Sequence, residues 1–190
     1  MFNAASIRNW LGILCYLVAM ASWKTHAQPA TKEYQIKAAF LFNFAQFVEW
    51  PTNAFATTNS PLTIGVLGEN PFGGALEDIV HGETIHGRPL MVRHSQTVSD
   101  LNDCQMIFIS KSEKGRVAEI LSALDSRPVL TISEFEGFAR RGGIINFYLD
   151  GKKVRFSINA SAAKNHDLKM SSELLNLGKI VKTSPKGVEK

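Results

Sequence analysis

Leu62-Thr-Ile-Gly-Val-Leu-Gly-Glu-Asn-Pro71 decides the fold. Leu62 to Leu67 is a short apolar run with three β-branched residues, which reads as a buried strand. Gly68 to Pro71 is a turn, and Pro71 suits the first position of a helix expected to run through Val80. The same alternation continues downstream. Pro89 to Arg93 and Cys104 to Ile109 read as strands, and Ser112 is placed to cap a helix from Glu113 to Leu124. Val129 to Ile132 is a further strand, with Ser133 placed to cap a short helix containing Phe135 and Phe138. Gly142-Gly143 breaks the chain. Ile144 to Leu149 and Val154 to Ile158 flank Asp150-Gly151, a hairpin signal. Helices from about Ala160 and Ser171 close the chain. Strands alternating with helices give an α/β class: a single domain with a largely parallel sheet flanked by helices and a C-terminal β-hairpin.

Upstream of the first strand lies Tyr34-Gln-Ile-Lys-Ala-Ala-Phe-Leu-Phe-Asn-Phe-Ala-Gln-Phe-Val-Glu-Trp50-Pro51. It reads as a helix from about Lys32 to Glu49, capped by Thr31 and ended by Pro51. At 100° per residue, Gln35, Asn43, Gln46 and Glu49 share a polar wedge, and Phe40, Phe44 and Phe47 lie opposite with Leu41 and Val48. Two residues break this pattern. Lys37 falls inside the apolar arc, so its ammonium must either reach water or meet an acid. Phe42 falls at the edge of the polar wedge. With Trp50, Pro51 and Phe55 it holds more aromatic area than a small core obviously needs, which makes these four residues a candidate partner surface.

The first 27 residues read as an export signal. Arg8 precedes the apolar run from Trp10 to Ser22, and Thr25-His26-Ala27 places small residues at −3 and −1 of a cleavage site. The run is too short to span a membrane comfortably. Leu14 before Cys15 does not suit a lipoprotein signal. Cleavage after Ala27 leaves residues 28–190 as one periplasmic domain. It removes Arg8 and Lys24 and no acid, so the net charge falls from +4 to +2. That weak excess gives no reason to expect nucleic acid as a partner. The cleaved chain retains Cys104 alone, so it cannot form an internal disulfide and must be held by its core.

Several segments resemble the YfiR-like family of small bacterial periplasmic regulators. Besides Tyr34 to Pro51, they are Ile64 to Phe72, Ile107-Phe-Ile-Ser110, Val129 to Ser133, Glu136-Gly-Phe138, Gly142 to Phe147, Val154 to Asn159 and Leu168 to Leu175. The resemblance implies a periplasmic α/β domain without enzymatic activity. It implies a partner too, an inner-membrane diguanylate cyclase restrained through its periplasmic sensor, with lower cyclic di-GMP and less biofilm as the result. Some relatives use disulfides. The single Cys104 departs from that pattern and puts a redox-switched version in doubt here.

The residues themselves offer little chemistry. The glycines of Gly65 to Gly73 fit neither a dinucleotide fingerprint nor a P-loop and read as turn glycines. His81, His86, His94 and His166 do not fall at metal-ligand spacings. Cys104 reads as an inert core thiol, and no serine sits in a nucleophile elbow. Arg140-Arg141 is a local basic spot that could hold an anion, although a solvated helix end is the first reading. No catalytic, metal or cofactor residue is therefore assigned. The readings that remain are a regulator of a membrane sensor, either a cyclase or a histidine kinase, and a small-molecule binder using clefts at the carboxyl ends of the strands. A second copy of the chain is the other partner that the aromatic surface would suit. Intact-mass measurement of the exported product should give a chain beginning at Gln28. A mass that retains residues 1–27 would refute the processing site.

Overall fold

The structure, a computed structural model, describes residues 31–184. The export signal and its cleavage site lie outside the described residues. Helix α1 (Lys32–Phe47) leads into a two-residue strand β1 (Val48–Glu49). There follow β2 (Leu62–Leu67), α2 (Ala75–Val80), β3 (Thr84–Ile85), β4 (Arg88–Ser95), β5 (Met106–Ile109), α3 (Val117–Ala123) and β6 (Leu130–Ser133). The chain closes with β7 (Ile145–Asp150), β8 (Lys153–Ile158), α4 (Ala160–Asn165), β9 (Lys169–Met170), α5 (Ser172–Leu177) and β10 (Lys179–Ile180).

The main sheet has the order β10-β8-β7-β6-β5-β2-β4-β3. Strands β4, β2, β5, β6 and β7 run parallel, while β8 and β3 run antiparallel to their neighbours β7 and β4. Taken in chain order, the parallel strands follow the 2-1-3-4-5 pattern of doubly wound sheets, with the order reversing between β2 and β5. The expected α/β class with a largely parallel sheet is what the chain forms.

Side chains alternate between the two faces of the sheet. One face carries Ile64, Val66, Phe108, Ile132 and Phe147 and packs against α1, α2, α4 and α5. Phe40 and Phe44 of α1 meet Phe147 and Phe156 here, with ring centroids 5.0 to 5.9 Å apart. The other face buries Ile107 and Ile109 under α3, Phe135 and Phe138. β7 and β8 add nothing to that second core. Their residues on this face are Asn146, Tyr148, Arg155 and Ser157, all polar or amphipathic.

The hairpin is longer than the sheet it joins. Ser133, the last residue of β6, pairs with Asn146, yet β7 continues to Asp150. Four residues therefore overhang the carboxyl edge by about 13 Å. The loop is Gly151-Lys152, with Gly151 at φ +60° in the first central position, as a type II′ turn requires. The aspartate of the Asp-Gly pair ends the strand instead of entering the turn.

Five local expectations are corrected. Pro71 does not open a helix. The Asn70 side chain accepts from Phe72 N and donates to Gly73 O, holding a turn until α2 begins at Ala75. Ser112 does not cap α3. It lies in a 3₁₀ segment, Lys111–Arg116, and its hydroxyl accepts from Glu69 N, 43 residues away. Ser133 is buried within β6 and donates to Ile109 O at 2.6 Å, so the residues after it form turns and a 3₁₀ segment, Ala139–Arg141. Finally, α1 gives way to β1 at Val48, before Pro51 is reached, because Val48 and Glu49 pair with Met170 and Lys169 of β9. Thr31 stands at the N-cap of α1 but offers its carbonyl, not its side chain, to Tyr34 N and Gln35 N.

Phe44 is 1% exposed, whereas Phe42 is half-buried and packed against the same core. Phe44→Ala should cost about 3–5 kcal/mol of unfolding free energy. Phe42→Ala should cost about 1–2 kcal/mol, since it loses only part of a phenylalanine's transfer energy. Urea denaturation measures both, and equal losses would contradict the burial described.

Candidate functional site

The first turns of α1 reach the carboxyl edge of the parallel sheet. There Lys37, with 3% of its side chain exposed, pairs with Glu33 one turn earlier on α1 and with Glu134 just after β6. The Glu134 side chain is 2% exposed. Its other oxygen accepts from the Tyr34 hydroxyl at 2.9 Å and lies 3.7 Å from the Lys111 ammonium. Lys37 also stands 4.6 Å from the centre of the Tyr34 ring, within cation–π range. Burial, then the Glu134 hydrogen bond and the nearby carboxylate charges, push the Tyr34 phenol well above its ordinary range. It therefore remains a neutral donor at any pH the protein meets.

This cluster forms one wall of an open cleft of about 600 Å³. The overhanging hairpin supplies the facing wall through Tyr148 and Leu149, and Asn146, Phe147 and Ser157 contribute to the lining. The Asn146 side-chain amide donates to Phe135 O at 3.1 Å and Phe147 O at 2.9 Å, which holds the loop after β6 against β7. Arg140 and Lys179 complete the basic part of the lining, and Glu136 is the remaining carboxylate. Among the described residues Arg140 and Lys179 form no ion pair.

The crevice where strand order reverses is already filled. Gly68 N donates to Ser95 O at 2.9 Å, and Glu69 N donates to the Ser112 hydroxyl at 3.1 Å. A Cβ on Gly68 would overlap Ser112 and Glu113, and its φ of +89° favours glycine in any case. The backbone donors that a phosphate would need are thus spent internally. The cleft of about 600 Å³ lies to one side of this crevice, at β6 and β7.

The aromatic candidates sit at the opposite edge. The Trp50 indole N–H donates to Gln105 O at 3.0 Å. The Arg88 guanidinium lies 3.7 Å from the centre of the Phe55 ring. With Ile85 and His86 these groups line a hollow of about 280 Å³. Trp50 and Phe55 are brought together, half-buried Pro51 follows Trp50 directly, and Phe42 is not among the residues lining that hollow.

The other singled-out residues fall into structural places. Cys104 is 3% exposed, and burial pushes its thiol up to about 11. A buried, protonated thiol is poorly suited to pairing between chains. His94 meets Glu77, and His166 is buried with Nδ1 donating to Arg127 O at 2.6 Å. His81 and His86 are exposed. Among the described residues no group of His, Cys, Asp and Glu is placed to hold a metal ion, and no helix is long and apolar enough to cross a membrane.

A family model described as YfiR/HmsC-like matches residues 34–179. The chain belongs to the YfiR/HmsC-like family. The match begins at Tyr34, which bonds Glu134, and ends at Lys179, which lines the same cleft. The span between them also includes Trp50, Phe55 and Arg88 at the amino edge. No curated protein matches the chain significantly. Members of the YfiR/HmsC-like family are periplasmic regulators, and membership is consistent with a role in cyclic di-GMP signalling.

Sequence reasoning singled out Lys37 but missed Glu134, Tyr34 and Lys111 as its neighbours. Breaking a buried ion pair one partner at a time is costly, while replacing both with apolar groups is mild. Glu134→Leu should therefore cost about 3–5 kcal/mol. Lys37→Met should cost less, because Glu134 keeps the Tyr34 hydroxyl and Lys111. The double variant should be more stable than the Glu134→Leu single. A urea-denaturation cycle measures all three, and strictly additive losses would show that the pair is not coupled.

Proposed function

We propose that this chain restrains an inner-membrane diguanylate cyclase by binding its periplasmic sensor region, so that cyclic di-GMP and biofilm formation fall. Membership of the YfiR/HmsC-like family across residues 34–179 is the observation that carries this reading. In it, residues 1–27 are the export signal and residues 28–190 are the working periplasmic domain, acting without enzymatic chemistry.

The hollow at Trp50 and Phe55, with Pro51 next to Trp50 in the chain, is the contact surface this reading favours. Aromatic groups around a depression form the kind of anchor that dominates protein interfaces. Arg88 adds a directional cation beside it. Phe42 belongs to the surface only as support from the core behind it.

Deleting the gene should raise cyclic di-GMP and biofilm. Expressing the exported chain should reverse both, and a version lacking residues 1–27 should not. Trp50→Ala and Phe55→Ala should each weaken co-purification with the membrane partner by about 1–3 kcal/mol. Unchanged nucleotide levels in both strains would point to another membrane sensor, such as a histidine kinase.

A further inference from the structure

The cleft at the carboxyl edge has a composition that protein contact alone does not call for. Its volume of about 600 Å³ falls within the roughly 300–1,000 Å³ of small-molecule sites. It combines the projecting edge of β7, where Tyr148 and Leu149 stand on opposite faces, with four cations: Lys37, Lys111, Arg140 and Lys179. Three carboxylates oppose them, Glu33, Glu134 and Glu136.

Those carboxylates are not equivalent. Glu134 is 2% exposed and fixed by Tyr34 and Lys37. Glu33 also pairs with Lys37, yet 34% of its side chain is exposed and it lines the cleft. A glutamate on the first turn of a helix can rotate away without disturbing the fold. Lys37 cannot leave, because it is buried on α1 and held by Glu134. Of the remaining cations, Lys111 is 60% exposed and only loosely engaged at 3.7 Å. Arg140 and Lys179 stand without carboxylate partners among the described residues.

We propose that this cleft binds a small organic anion whose acidic group takes the seat of Glu33 on Lys37. Its body lies against the projecting edge of β7 at Tyr148 and Leu149, and Lys111 and Arg140 receive the rest of its charge. Glu33 is then an internal competitor that keeps Lys37 paired while the cleft is empty. The ligand class is a carboxylate or phosphate monoester carrying an apolar or aromatic body. The proposal does not depend on the regulatory reading, because binding is measured on the isolated exported chain.

Titration of that chain with benzoate, phenyl phosphate and benzylammonium, followed by backbone-amide NMR and calorimetry, tests it. At least one of the two anions should bind saturably and shift the amides of Lys111, Asn146 and Tyr148, and benzylammonium should not bind. Which anion binds more tightly distinguishes a carboxylate ligand from a phosphate. Glu33→Gln should tighten anion binding about tenfold, and Lys111→Gln with Arg140→Gln should weaken it about tenfold, as loss of charge-assisted hydrogen bonds does. All three positions are at least one-third exposed, so these variants should keep the wild-type urea midpoint to within a small shift. Absence of binding by both anions would overturn the proposal. So would equal binding of benzylammonium, or unchanged affinity in Glu33→Gln.

Discussion

An ammonium group buried between α1 and the sheet is the constraint on which the rest of this structure depends. Lys37 lies in the apolar arc of a phenylalanine-rich helix and is almost wholly hidden from water. A charge so placed requires partners close by. Glu33 supplies one from the same helix, and Glu134 supplies the other from the turn after β6. That second contact fixes how far α1 can slide along the sheet and which way it can turn. The phenylalanine stripe then meets Phe147 and Phe156, and the end of the helix meets β9.

Fold and site were legible to different degrees. The strands could be read because short apolar runs bounded by glycine and proline have few other outcomes. The hairpin was announced by Asp150-Gly151. That Lys37 needed an acid also followed from its position on the helix. Which acid it would be did not, because Glu134 lies 97 positions away and nothing in its local sequence marks it. Ser112 and Ser133 misled for a related reason. A serine before an apolar run can cap a helix, but here each hydroxyl is claimed by a group on another strand or loop, Glu69 N and Ile109 O. Pro71 misled because Asn70 beside it stabilises a turn with its own side chain.

The two edges of the sheet do different things. The carboxyl edge carries the charges and the larger opening, under a hairpin that projects beyond the neighbouring strands. The amino edge gathers Trp50, Phe55 and Arg88 around a smaller hollow. Helix α1, about 24 Å long, touches both: its first turns hold the ion cluster, and its end passes directly into β1 and Trp50. A change at one edge that moved this helix would be felt at the other.

The bond from the Trp50 indole to Gln105 O has a practical consequence. The chain has three tryptophans, Trp10, Trp23 and Trp50. A chain beginning at Gln28 keeps Trp50 alone, so all of its long-wavelength emission arises at one place, beside Phe55 and Arg88. The protein then carries its own fluorophore at the amino edge. Any molecule that settles over that hollow, or any movement of β1 that frees the indole, changes the colour and yield of its light without a label.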